Sequence, residues 1–136
     1  MPIKHQFLTL IFGLFAAVQT THAEPSQTLQ FEVAPYKNSD VFCENDQRIN
    51  PAANDFELLD YHLMSSEIGE RLVLATIKNT SSGLRILKKD YVVAILGDCS
   101  RIFPAELERK FQGKQTLTVQ LDFGVLKYPV LKVLME

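Results

Sequence analysis

"GKQTLTVQLDFG", residues 113–124, alternates apolar and polar residues more regularly than any other part of the chain. Leu117, Val119, Leu121 and Phe123 fall on one side of an extended backbone, with Thr116, Thr118, Gln120 and Asp122 on the other. A period of two marks a strand with one face on a core and the other in water. A helix would scatter the same four apolar side chains around its axis. Read outward from this strand, the chain is a β protein.

The neighbouring segments agree. "RLVLATIKN" (71–79) is alternating and rich in β-branched residues, and it runs into "NTSSG", residues that tolerate turn geometry. "FELLDYHLMS" (56–65) sets Leu59, Tyr61 and Leu63 on one face and Leu58, Asp60, His62 and Met64 on the other. At 29–34, Leu29, Phe31 and Val33 alternate with Gln30, Glu32 and Ala34, which predicts a strand with one apolar face. "KKDYVVAILG" (88–97) does not alternate and reads as a strand buried on both faces. "YPVLKVLME" (128–136) is a terminal strand with its proline at the start or at a sheet edge. "PAELERK" (104–110) has proline at a first helical position and good helix formers after it, so one short helical turn is expected there. About seven short strands between turns predict an all-β, immunoglobulin-like antiparallel β-sandwich, with a small barrel as the alternative. The chain has no tryptophan, so the antibody-type core is absent.

Residues 1–23 are of another kind. Lys4 precedes the apolar run 7–18, and "THA" leads to Glu24-Pro25, the layout of a secretory signal peptide whose apolar part is too short to span a bilayer. No cysteine follows that run immediately, which disfavours a lipid-anchored lipoprotein. The expected mature part, 24–136, is a single domain, soluble in the periplasm or secreted, with no stable membrane insertion. Taking Lys4 from the 14 basic residues leaves 13 against 16 acidic ones, a formal charge of −3. Such a balance gives no clustered cations for nucleic acid. Lys88-Lys89 and Arg109-Lys110 are the densest basic spots, and neither has a glycine-rich phosphate cradle.

The only two cysteines are Cys43, within the polar stretch 36–55, and Cys99, just past the apolar run. A redox pair calls for C-x-x-C and a zinc site for four ligands at local spacing, and neither pattern occurs. In an oxidising compartment an even pair is read as a disulfide. Closing a loop of about 57 residues restricts the unfolded chain by about 4 kcal/mol in the chain-entropy model. It would also pin a loop with little apolar surface of its own.

Other chemistry is thin. His62 and Met64 form an H-x-M pair on one strand face, and imidazole with thioether suits copper, which makes a periplasmic copper carrier one alternative. No G-x-S-x-G turn occurs, and His62 with Asp60 and Ser65 or Ser66 on one strand does not converge into a triad. Glu106, Glu108, Asp55 and Glu57 read as scattered surface acids. No enzyme and no cofactor is expected. "NTS" at 79–81 matches the N-glycosylation acceptor pattern, and the same residues are good turn formers.

The order "LVLATIKNTSSG", "KDYVVAIL", "RIFP" and "GKQTLTVQLDF", spread over about 56–134, resembles small bacterial extracytoplasmic Ig-like domains of unknown function. That resemblance implies fold and compartment and no catalytic residues. The expectation drawn from the sequence is a module that binds another extracytoplasmic protein, of inhibitor or immunity type. Its contact surface is assigned to the loop 36–55, with Asp46 and Arg48 as the charged contacts. A structural subunit of an envelope assembly, with a sheet edge completed by a neighbour, is the other alternative.

Overall fold

The computed structural model describes residues 23–44 and 49–136. Asp46, Arg48 and all but the last residue of the expected leader lie outside the described residues. Nine strands appear among the described residues: β1 (Gln30–Glu32), β2 (Phe56–Ser65), β3 (Glu70–Asn79), β4 (Arg85–Lys88), β5 (Val93–Leu96), β6 (Arg101–Ile102), β7 (Glu108–Phe111), β8 (Thr116–Val125) and β9 (Val130–Leu134). All pairings are antiparallel, in a four-stranded sheet β1-β2-β3-β8, a pair β4-β7 and a three-stranded sheet β6-β5-β9. The fold is all-β.

The core lies between the large sheet and the two small ones. Tyr61, Leu63, Val73, Ala75, Ile77, Val119, Leu121 and Phe123 come from the large sheet, and Leu87, Phe111, Ala94, Leu96, Val130 and Val133 face them. In β8 the alternation works as it reads, with Val119, Leu121 and Phe123 buried and Thr116, Thr118, Gln120 and Asp122 exposed. Each such side chain taken out of water contributes about 1.5–3 kcal/mol.

The strand β2 departs from its sequence pattern. Its register with β3 shifts between Leu58 and Asp60, which leaves Leu59 as an extra residue, 48% exposed. A bulge of this kind resets the alternation. Phe56 and Leu58, upstream of it, join Tyr61 and Leu63 against the core, while Leu59 does not.

Two further expectations are corrected. The segment 88–97 is not one strand: a 3-10 turn, Lys89–Tyr91, breaks it, and the Asp90 carbonyl accepts from the Ala52 amide at 2.8 Å. The helical turn expected over 104–110 does not form. Instead Glu108–Phe111 pairs with β4, Arg85 opposite Phe111 and Lys88 opposite Glu108, and Phe111 is fully buried. An unpartnered β4 and a phenylalanine that must reach the core outweigh local helix propensity. These changes, with the two-residue β6, account for nine strands where about seven are expected.

The strand β5 is buried on both faces, as its apolar run reads. Ala94 and Leu96 belong to the core cluster, so Val93 and Ile95 point the other way, and both are nevertheless buried. The chain before β2 is tied down around that outer side. Arg101 donates to the Ile49 carbonyl and to Asn50 Oδ1, and Lys132 donates to the Ser39 carbonyl. The described parts of the loop thus attach to the outer side of the small sheet.

Candidate functional site

Cys43 and Cys99 are joined, with an S–S distance of 2.07 Å and Cα atoms 5.8 Å apart. Cys99 occupies a tight hairpin turn between β5 and β6: its amide donates to the Leu96 carbonyl, and the Leu96 amide donates to the Ser100 carbonyl, each at 2.9 Å. Its φ is 65°, the left-handed region that a three-residue hairpin loop demands at this position and that glycine or asparagine usually fills. Asp98 Oδ1 accepts from the Ser100 amide at 3.1 Å and from its hydroxyl at 2.6 Å. These bonds, the hydroxyl's first, hold the Asp98 carboxyl below the usual carboxylate range. The turn is therefore stiff at the point where the loop is attached.

Upstream of Cys43 the loop is anchored twice more. Lys37 forms an ion pair with Asp60 and sits 5.3 Å from the centre of the Tyr61 ring. Lys132 holds the Ser39 carbonyl at 2.7 Å and approaches Asp40 at 3.7 Å. Between these anchors the loop carries no strand ladder.

The most exposed large apolar side chains of the described residues fall in one short stretch: Phe31 at 69%, Val33 at 86% and Phe42 at 92%. The alternation at 29–34 correctly signals a strand but not which way it faces. Phe31 pairs with Met64, which pairs with Leu72, and this row lies on the side of the large sheet away from the core. The reason is Glu32. Its carboxylate accepts from the Ser65 hydroxyl and from Arg71 at 3.3 Å, so it must share the face of Leu63, and its neighbours then point outward. Phe31 meets the edge of the His62 ring, with centroids 6.1 Å apart and planes at 80°.

His62 and Met64 do share the outer face of β2, but their surroundings differ. His62 is exposed, 3.4 Å from Asp60 Oδ2, whereas Met64 is buried between Phe31 and Leu72 in the cross-strand row. Among the described residues no group of three or more His, Cys, Asp or Glu side chains converges on a point. The accessible chemistry here is one imidazole beside one carboxylate and an aromatic ring.

Two residues have roles that sequence reasoning does not assign. Asn79, the acceptor position of the NTS pattern, is fully buried, and its Nδ2 donates to the Gly83 carbonyl at 2.8 Å and the Gln112 carbonyl at 2.9 Å. Its Oδ1 accepts from the Ser81 amide and hydroxyl. The nitrogen that would carry a glycan is thus committed inside the folded chain. Tyr61 is 4% exposed, and its hydroxyl makes no hydrogen bond among the described residues. Burial pushes its pKa above the ordinary 10.0, the nearby Val133 backbone offsets part of that rise, and the Asp60 charge adds a smaller push upward. Nothing in a period-two pattern separates a tyrosine with a bonded hydroxyl from one without.

No protein-family model matches the chain, and neither a curated protein nor a solved structure matches it.

Proposed function

We propose that this protein is an extracytoplasmic, immunoglobulin-like β-sandwich that binds another protein, of inhibitor or immunity type, and does no chemistry itself. The observation that carries the reading is the concentration of exposed apolar side chains, Phe31, Val33 and Phe42, on a stretch fastened at Asp60, Lys132 and Cys99. Exposed aromatic and branched side chains on a preorganised support are what a recognition surface needs, because ordering cost is met before binding. The Cys43–Cys99 bond is compatible with a periplasmic or secreted location, as is the absence, among the described residues, of a helix long and apolar enough to cross a membrane.

The test is crosslinking in the native envelope followed by identification of the captured protein by mass. Wild-type protein should capture one partner at least tenfold more efficiently than a variant carrying Phe31→Ser, Val33→Ser and Phe42→Ser with an unchanged circular dichroism spectrum. A second variant, Asp46→Ala with Arg48→Ala, asks whether the charged contacts assigned from sequence take part. Equal capture by wild type and the triple variant would reject the surface.

A further inference from the structure

The strand β9 is paired with β5 on one side and has no strand on the other among the described residues. At that free edge one hydrogen-bonding demand is unmet: the buried Tyr61 hydroxyl, on the opposing sheet and close to Val133, has no partner among the described residues. Beside it is a cavity of about 220 Å³ whose lining includes Lys37, Leu58, Asp60, Tyr61 and Val133, enough for one medium-sized side chain. Buried polar groups without partners are scarce in folded proteins, and an unpaired strand edge is a template for another strand.

The loop beside this edge indicates what would fit it. Ser39 and Asp40 offer Lys132 a main-chain carbonyl and a carboxylate, yet no backbone hydrogen bond joins the loop to β9 among the described residues. The loop is a stand-in for a strand: it supplies the polar ends and omits the ladder. A second copy of this chain is a poor occupant, because a twofold edge-to-edge pairing centred on Lys132 would set two lysines opposite each other. The segment Ala23–Leu29 is held elsewhere, with Ser26 and Glu67 exchanging hydrogen bonds.

We infer that an extended segment of a partner protein, carrying an acidic side chain, adds as a strand to the free edge of β9. It displaces residues 39 and 40 from the edge, its carboxylate replaces Asp40 on Lys132, and one of its carbonyls accepts from the Tyr61 hydroxyl. This is strand addition, in which the main chain supplies affinity and the cavity and Lys132 supply selection. The inference rests on the protein-binding reading above and narrows it to one edge and one partner chemistry.

The probe is a synthetic nine-residue peptide of alternating threonine and valine with a central aspartate, titrated to millimolar concentration into the ¹⁵N-labelled protein. Its counterpart has lysine in place of the aspartate. The aspartate peptide should slow hydrogen exchange of the Val133 amide at least tenfold, and the lysine peptide should bind at least tenfold more weakly. Tyr61→Phe should weaken the aspartate peptide about fivefold while leaving the free protein at least as resistant to urea, and the Phe31, Val33 and Phe42 triple variant should bind it like wild type. Absent protection at Val133, protection at β1 or β8 instead, or equal affinity for Tyr61→Phe would overturn the inference, as would self-association through this edge without peptide. If the peptide fails while envelope capture still depends on Phe31, Val33 and Phe42, strand addition falls and the broader protein-binding reading stands.

Discussion

The turn that follows β3, residues 79–83, and the described parts of the loop at 34–54 are secured on different principles. In the turn, Asn79 sits in the interior and satisfies two carbonyls and an amide by itself, while Lys114 reaches the Thr80 carbonyl and donates its own amide to Ser81. The facing turn at 112–115 comes so close that a Cβ on Gly113 would lie 2.0 Å from the Ser82 carbonyl oxygen, which only glycine permits. Among the described residues of the loop, attachments are widely spaced: a disulfide, Lys37 on Asp60, Lys132 on Ser39, Arg101 on Ile49 and Asn50, and Ala52 on Asp90. Short chain can be fastened by a dense polar network because little entropy is lost in ordering it. Long chain with few apolar residues needs a covalent tie.

The largest effect should come from cutting that tie. Cys43→Ser is expected to lower unfolding free energy by about 4 kcal/mol, read from urea denaturation, and to speed exchange of the amides of Val93 and Ile95 beneath the loop. In that background Cys99→Gly should be more stable than Cys99→Ser by about 1 kcal/mol, because glycine accepts the left-handed backbone of this turn without cost. Equal stability of those two variants would show that the turn relaxes once the sulphur is gone. Losing the turn's network should cost less: Asn79→Ala is expected to destabilise by about 3 kcal/mol, since it leaves the Gln112 and Gly83 carbonyls and the Ser81 amide without their shared partner. A loss below about 1 kcal/mol would mean that water replaces the amide and that the contrast between the two regions is overstated.

The smallest effect concerns what the loop covers. Tyr61 has its pKa raised by burial, so its contribution to stability is complete below the ordinary tyrosine value near 10 and is lost as pH rises from there through the raised folded value. Tyr61→Phe should leave stability at pH 7 within about 0.5 kcal/mol of wild type, because no hydrogen bond is removed, and should flatten the decline above pH 10. An unchanged alkaline decline would assign it to other tyrosines.

Much of the strand inventory is legible because period two is a strong signal where one face is buried and the other wet, as in β8. It fails at β2 because one inserted residue, Leu59, reverses the phase without changing composition. It fails at β1 because the apolar face of Phe31 and Val33 turns outward once Glu32 is held by Ser65 and Arg71. It fails at β7 because "PAELERK" is helical in local preference, and only a distant strand, β4, makes the extended form better. The exposed Phe42 is invisible for a similar reason: its setting is created by a neighbour, Cys43, bonded 56 positions away. Asn79 is legible as a turn residue but not as an interior one, since burial depends on the turn at 112–115 closing over it.

That interior asparagine also keeps time. Its amide can be reached by a modifying enzyme only before the turns at 79–83 and 112–115 close, so in a eukaryotic secretory host glycan transfer and folding would compete for one nitrogen. Chains that fold promptly would leave unmarked, whereas those that linger would carry a sugar that bars Asn79 from its place. The glycosylated fraction would then be a record of slow folding written on the molecule.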